Sequence, residues 1–130
     1  MNTGYKFTLI FGVGVALGLT VSSAIRAQQA KVAPGYLIAE VNVTNPSMFK
    51  TYAQQVPGTL AAFGGTYVVR AGKITPVEGN APTGNFVVIR FDSVQKALAW
   101  ENSPAYEAIK PIRHKSAMTR SFVVEGVTPQ

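Results

Sequence analysis

Residues Gly35 to Val43, GYLIAEVNV, limit the possible folds more than any other part of the sequence. Their side chains alternate between two faces, as in a β-strand, where successive residues point to opposite sides. One face is wholly apolar and the other is mixed, with a carboxylate in its middle. The apolar face consists of Leu37, Ala39, Val41 and Val43, and the mixed face of Tyr36, Ile38, Glu40 and Asn42. The stretch therefore predicts a strand with a core on one side and surroundings that tolerate charge on the other.

The patterns after this strand predict the order strand, helix, strand, strand, helix, strand. Asn45-Pro46 favours a helix start, Gly64-Gly65 its end, and Pro57-Gly58 a kink or a break between them. The remaining predicted strands lie at 66–71, 85–91 and 121–127. A second helix is predicted to begin after the cap Asp92-Ser93 and to start again after Ser103-Pro104. This order is typical of an α+β, ferredoxin-like βαββαβ fold, with two helices on one face of a four-stranded antiparallel sheet.

Two helices leave one face of such a sheet uncovered. That face carries Ile38, Phe86 and Val88, which are too apolar to remain in water. Two copies of the chain would bury these residues by packing their sheets together. We therefore expect a homodimer, a dimeric α+β barrel.

The first 27 residues have the pattern of a secretory signal peptide. Lys6 provides the positive end, an apolar run follows, and cleavage fits after Ala24 or after Ala27. A retained N-terminal anchor is the alternative, although the apolar run is shorter than the roughly 20 residues of a spanning helix. The expected organisation is a signal peptide at 1–27, a linker at 28–34, the domain at 35–127 and a tail at 128–130. Either alternative places the domain outside, periplasmic or secreted, with no membrane span once the leader is removed.

Composition excludes several classes of function. The net charge is +6, and removing Lys6 and Arg26 leaves ten basic against six acidic residues, a net +4. The basic residues are scattered and do not form the clustered footprint of a nucleic-acid-binding surface. The absence of cysteine excludes thiolate catalysis and cysteine-bound metal. His114 is the only histidine, which excludes a multi-histidine metal site, so we expect neither a metal nor a cofactor.

Charged side chains on the predicted uncovered face are the first candidates for a site. This face receives Glu40, Asn42 and Arg90, and from the second strand Arg70 or Tyr67. Arg70 is preferred there, because Tyr67 suits the core better. Since a desolvated charge is costly unless paired, we expect Glu40 to pair with Arg70 or Arg90. Two interpretations stay open: an ion pair that fixes the dimer register, and an anion-binding or acid–base site in a cavity.

The sequence resembles the domain-of-unknown-function 1330 family from Pro34 to Gly126. The resemblance lies in GYLIAEVNVTNPSMFKTYAQQVPGTLAAFGGTYVVRAGK, VVIRF, AWENSPAYEAIKPIR and SFVVEG, in the family's order. It implies a fold of the dimeric α+β barrel superfamily, without an established common reaction. The family's recurring polar positions correspond to Glu40, Tyr52, Arg70, Trp100, Ser103, Tyr106 and Arg113. The chain departs from the family in its third strand, where Arg90 replaces an expected acidic residue.

Two functional hypotheses follow. The first is an exported protein that binds a small hydrophobic or anionic molecule. Its candidate ligand-binding residues are Arg70, Arg90, Asn42, Tyr52, Trp100, Tyr106 and Arg113; the aromatic ones are alternatively plain core residues. The second is a cofactor-independent monooxygenase or isomerase acting on a small aromatic or lactone-like substrate. In it Glu40 or His114 moves a proton and Arg70 holds the developing anion.

Overall fold

Residues 31–130 are described by the computed structural model, and Val32–Gln130 forms one unit with an α+β fold. Four antiparallel strands form one sheet in the order β2–β3–β1–β4. The elements are β1 (Gly35–Val43), α1 (Pro46–Leu60), a 3₁₀ turn (Ala61–Phe63), β2 (Thr66–Arg70), β3 (Asn85–Phe91), α2 (Val94–Glu101), α3 (Pro104–Ser116) and β4 (Ala117–Glu125). The predicted signal peptide, and the linker up to residue 30, lie outside the described residues.

Helix α1 begins as the sequence predicts but does not break at Pro57-Gly58. Asn45 Oδ1 accepts a hydrogen bond from the Met48 amide at 3.1 Å, and Pro46 occupies the first turn. Pro57 has no amide proton to give to the carbonyl oxygen of Ala53. Arg70 Nη2 donates to that oxygen instead, at 3.3 Å. A side chain from the sheet thus satisfies the acceptor that the proline leaves open, and the helix continues to Leu60.

The second helical region contains two helices, so the described chain has three α-helices where two were expected. Helix α2 ends at Glu101, and Asn102 lies outside helical geometry. Ser103 Oγ then accepts from the Tyr106 amide at 3.3 Å and donates to the Trp100 carbonyl at 2.7 Å. Pro104 follows in the first turn of α3. The cap and the proline that predicted a restart therefore separate two helices.

Strand β1 lies in the middle of the sheet, and its apolar face is buried as predicted. Leu37, Ala39 and Val41 are each no more than 7% exposed. They pack beneath the helices, in cores that also contain side chains of α1, α2 and α3. Strand β4 begins at Ala117, four residues before the predicted start, because α3 passes directly into extended backbone there.

A bulge in β2 turns Arg70 towards the helices, against the expectation that it faces the uncovered side. Tyr67 lies opposite Ile89, whereas Val69 lies opposite Val88, so Val68 is the extra residue. This insertion shifts the alternation by one position. Tyr67 and Arg70 therefore both lie on the helix side of the sheet.

The opposite face of the sheet remains apolar at its centre. Ile38 lies beside Val88 on one neighbouring strand and Phe122 on the other, and Phe122 is 48% exposed. Among residues 31–130, no helix is both long enough and apolar enough to cross a bilayer.

Candidate functional site

A cavity of about 160 Å³ lies between the helix side of the sheet and helices α1 and α3. Its floor is formed where the central strand carries its smallest side chain. Ala39 is opposite Val87 on β3 and Ser121 on β4, so this part of the row beneath the helices contains no large residue, and Arg70 on β2 ends the row beyond Val87. Larger aromatic side chains from the helices keep α1 and α3 away from this floor. The space is therefore built from residues of every strand and helix in the domain.

Arg113 is the most unusual residue of the cavity wall. It lies in the last turn of α3, is only 9% exposed and has no carboxylate partner among residues 31–130. Its Nε is buried without a hydrogen-bond partner, and its Nη2 lies 3.4 Å from Nε2 of His114. Thr119 Oγ1, which belongs to another lining residue, is also buried without a partner. Buried polar groups are nearly always hydrogen-bonded, so these two residues are unusual among those that line the cavity.

Two buried tyrosines provide a further polar group on the same wall. The hydroxyls of Tyr52 and Tyr106 are 2.8 Å apart. Burial, with the neighbouring Tyr106 as a second cause, raises the pKa of Tyr52 far above its usual range. Burial also raises the pKa of Tyr106, although the Tyr52 hydrogen bond and the charge of Arg113 partly offset it. Both phenols are therefore protonated at neutral pH. One hydrogen joins the two oxygens, and the other is left for a ligand.

Tyr67 and Arg70 form the margin of the cavity on the β2 side. The Arg70 guanidinium carbon lies 4.6 Å from the centre of the Tyr67 ring, a cation–π distance. Burial raises the pKa of Tyr67, and the Arg70 charge partly offsets this. Because Arg70 also bonds the Ala53 carbonyl, it has a structural role that does not depend on a ligand.

Trp100 and Glu101 close the cavity at the end of α2. Trp100 is 1% exposed, and its ring centre lies 4.0 Å from that of Tyr106. Its Nε1 donates to Thr59 Oγ1 at 2.9 Å, so this polar atom is already used. Glu101 is the lining carboxylate and lies 3.2 Å from Nζ of Lys110.

Lys110 neutralises that end of the cavity. Burial lowers its pKa, but hydrogen bonds to Glu107 and Glu101 outweigh this and raise the pKa overall. Its Nζ lies 2.6 Å from Glu107 Oε1. Lys110 therefore contacts both acidic side chains at this end, Glu101 and Glu107.

Five of the predicted ligand-binding residues line one cavity. They are Arg70, Tyr52, Trp100, Tyr106 and Arg113. Arg90 does not join them; it lies 3.4 Å from Asp92 at the surface. Asn42 donates to Thr83 Oγ1 at 3.2 Å, and His114 is exposed.

The predicted pairing of Glu40 with Arg70 or Arg90 is wrong. Arg120 Nη2 lies 2.8 Å from Glu40 Oε1, and the two residues are directly opposite each other on β4 and β1. The prediction missed this pair because it began the last strand at residue 121, one position after Arg120. The ion pair lies on the face away from the cavity.

Two further lining residues were not singled out from the sequence. Thr119 lies in the part of β4 that was not predicted as strand, so its face was not assigned. Glu101 follows Trp100 within the AWENSP segment and could have been noted as the acidic residue next to the aromatic one. Among residues 31–130, no group of three or more metal-ligating side chains is present.

Sequence and structural comparisons agree with this architecture. The family described as Domain of unknown function (DUF1330) matches residues 34–127. No curated protein matches the sequence.

Solved structures show the same fold at low identity. The RPA0582 protein of unknown function from Rhodopseudomonas palustris has a TM-score of 0.59 at 14% identity, covering 82% of this chain and 94% of that chain. A methylated form of RPA0582 has the same TM-score and identity, covering 82% of this chain and 92% of that chain. A conserved protein from Bacteroides thetaiotaomicron, described as a possible oxidoreductase, has a TM-score of 0.45 at 13% identity, covering 72% of this chain and 97% of that chain. The first two likenesses concern the fold alone, and the third supports no functional conclusion.

Proposed function

The chain belongs to the DUF1330 family, a domain of unknown function, and from this premise we propose that it is an exported protein that binds a small anionic molecule. The binding site is the cavity beneath α1 and α3. The observation that carries the proposal is Arg113, a buried guanidinium without a counter-ion in the described part of the chain.

The energetics of Arg113 favour a ligand over a purely structural role. A structural buried arginine is normally paired, because leaving its donors unsatisfied costs about 1–3 kcal/mol. Here no carboxylate or carbonyl receives the Nε–H. An anionic group bound at this position would gain a charge-assisted hydrogen bond and would remove the penalty. Such a bond contributes about 1.5–3 kcal/mol, which is roughly one to two factors of ten in affinity.

The remaining lining supports a mainly apolar molecule. Leu37, Val56 and Ile89 are buried hydrophobic residues of the wall, and Phe49 packs against the same core. Sites of this kind combine apolar walls with a few polar groups that orient the ligand.

Thermal shift with a series of small organic anions tests the proposal, using the wild type, Arg113→Gln and Arg90→Gln. We expect at least one anion to stabilise the wild type and Arg90→Gln but not Arg113→Gln. Arg90 is the matched control, because it lies at the surface away from the cavity. Equal shifts in all three proteins, or no shift with any anion, would contradict the proposal.

The assembly we propose is a homodimer of the ferredoxin-like, dimeric α+β barrel type. The uncovered sheet face supports it, because the apolar row through Ile38, Val88 and Phe122 would be buried between two sheets. Sedimentation at micromolar concentration should give a dimer, and Phe122→Glu should shift it towards the monomer. A stable wild-type monomer at that concentration would overturn the assembly.

Export rests on the N-terminal sequence pattern. The mature protein should begin at Ile25 or Gln28, after cleavage at one of the two expected positions. Mass spectrometry of the protein from the periplasmic and culture-medium fractions checks this. Full-length protein in the membrane fraction would instead indicate the retained anchor.

A cofactor-independent isomerase or monooxygenase is the alternative, and Glu101 is the observation that favours it. Neither Glu40 nor His114 lines the cavity, so the proton acceptor in this alternative is the Glu101 carboxylate. The Tyr52–Tyr106 pair would donate a hydrogen bond to an enolate oxygen. The Glu101 carboxylate already contacts Lys110 Nζ at 3.2 Å, which is why binding is preferred. Turnover of lactone or quinol substrates that Glu101→Gln abolishes, with the fold intact, would support the enzyme.

A further inference from the structure

We propose that the ligand of this cavity is a single-ring carboxylic acid of about the size of benzoate, with its carboxylate on Arg113 and its ring above Ala39. This inference rests on the proposed binding function and specifies its ligand class.

The volume of the cavity sets the size of the ligand. At about 160 Å³, the cavity is close to an engineered cavity of roughly 150 Å³ in another protein, which binds benzene. Drug-sized ligands occupy cavities of roughly 300–1,000 Å³. One six-membered ring with a small substituent therefore matches this volume, and a fused-ring compound or a nucleotide exceeds it.

The shape and chemistry of the walls favour a planar ring. Phe49 and Tyr52 have ring centres 5.4 Å apart on α1, and the Tyr52 and Tyr106 centres are 6.4 Å apart. These aromatic faces lie opposite the sheet floor around Ala39, where side chains are small. A flat ring between the sheet and these tilted aromatic side chains would stack or pack edge-on against them.

The polar groups match one carboxylate. Arg113 contributes a buried guanidinium to the wall, and the Tyr52–Tyr106 pair contributes its second hydroxyl hydrogen. The charge of Arg113 acts on Tyr106, so the cation and the hydroxyl pair lie close together. A guanidinium and a hydroxyl donor suit the two oxygens of one carboxylate.

A single negative charge fits better than two. Arg70 Nη2 is already bonded to the Ala53 carbonyl, and the Glu101 carboxylate lines the cavity as well. A second anionic group on the ligand would have no further unpaired cation to meet among the lining residues. The inferred class is therefore the monocarboxylates.

Ala39 is the residue that limits ligand size. It lies on the central strand and is 7% exposed, and its neighbours in the sheet are Val87 and Ser121. Ala39→Leu adds three carbon atoms to the floor and removes the space for the ring. The change keeps an apolar residue on the buried face of β1.

Isothermal titration of the full chain with five probes tests the inference. The probes are benzoate, benzamide, acetate and 2-naphthoate, and octanoate is added as an acid without a ring. We expect one benzoate site per chain. Benzamide, acetate, naphthoate and octanoate should each bind at least tenfold more weakly. Benzoate affinity should fall at least tenfold in Ala39→Leu and in Arg113→Gln, and should be unchanged in Arg90→Gln.

The outcomes separate this inference from the proposed function. If naphthoate or octanoate binds more tightly than benzoate and still depends on Arg113, the ring-size inference is overturned and the binding function stands. If benzamide equals benzoate, the carboxylate contact is overturned. If no acid binds, both fail. Should Ala39→Leu not fold, the probe series on the wild type decides alone.

Discussion

Replacing Arg113 by methionine should stabilise the unliganded protein while it removes ligand binding. Arg113 is 9% exposed and its Nε has no partner in the described part of the chain, so the side chain carries a desolvation cost of about 1–3 kcal/mol. Methionine fills most of the space of the arginine stem without a buried charge. The change also removes the 3.4 Å contact with His114, which is worth at most about 0.5–1 kcal/mol. The expected net gain is roughly 1–2 kcal/mol.

Urea and thermal unfolding without ligand measure this gain. For a domain of this size, about 1–2 kcal/mol corresponds to a rise of roughly 5–10 °C in Tm, with an unchanged urea m-value. The same substitution at the exposed Arg90 should change stability by no more than about 0.5 kcal/mol. The reasoning would be refuted if Arg113→Met lowered stability by more than about 1 kcal/mol. That result would mean that the guanidinium is satisfied within the folded protein, and that the cavity needs no anion.

Three further expectations concern the same core. Tyr52→Phe and Tyr106→Phe each remove the 2.8 Å hydrogen bond between the two buried hydroxyls. A double-mutant cycle measured by urea unfolding should therefore give a coupling free energy of about 0.5–1.5 kcal/mol, and a value near zero would contradict the hydrogen bond. Gly65→Ala would place a methyl group 2.7 Å from the Phe91 ring and should lower the free energy of unfolding by about 1–3 kcal/mol. The control Gly72→Ala meets no atom within 4 Å and should leave stability nearly unchanged. Equal effects of the two substitutions would contradict the packing at Gly65. Burial raises the pKa of Tyr52 above its unfolded value near 10, so the folded state holds the phenol proton more tightly than the unfolded state does. The stability that Tyr52 contributes is therefore complete below pH 10 and is lost as the pH rises above 10. Urea midpoints from pH 8 to 11 should therefore fall less steeply above pH 10 in Tyr52→Phe than in the wild type, and parallel curves would show that Tyr52 is not the cause.

The candidate site was only partly predictable. The family resemblance singled out seven polar positions. Two of them, Glu40 and Ser103, do not line the cavity, and the other five do: Tyr52, Arg70, Trp100, Tyr106 and Arg113. The dimeric barrel expected from the sequence would place a cavity between two sheets. The cavity in the structure instead lies on the helix side of one sheet. Local patterns place residues on a face of their own element, but they do not give the volume left between elements. That volume depends on side chains from every strand and helix together, and above all on the small floor at Ala39.

The sequence by itself determined the short-range features of the fold. The two faces of β1, the caps at Asn45 and Ser103 and the glycine end at Gly64 depend only on neighbouring residues, and each is present in the structure. These features follow from alternation and from unsatisfied backbone groups at helix ends, which act within a few residues.

Tertiary structure alone decided the long-range features. The bulge beside Val68 turned Arg70 towards the helices, and the register of β4 against β1 gave Glu40 the partner Arg120. Where α1 continues through Pro57, the same Arg70 reaches the open carbonyl of Ala53. Strand pairing fixes each of these contacts between residues distant in the sequence, and no local pattern records the pairing. The same packing buries Arg113 without a carboxylate partner among the described residues. The proposed function rests on this feature.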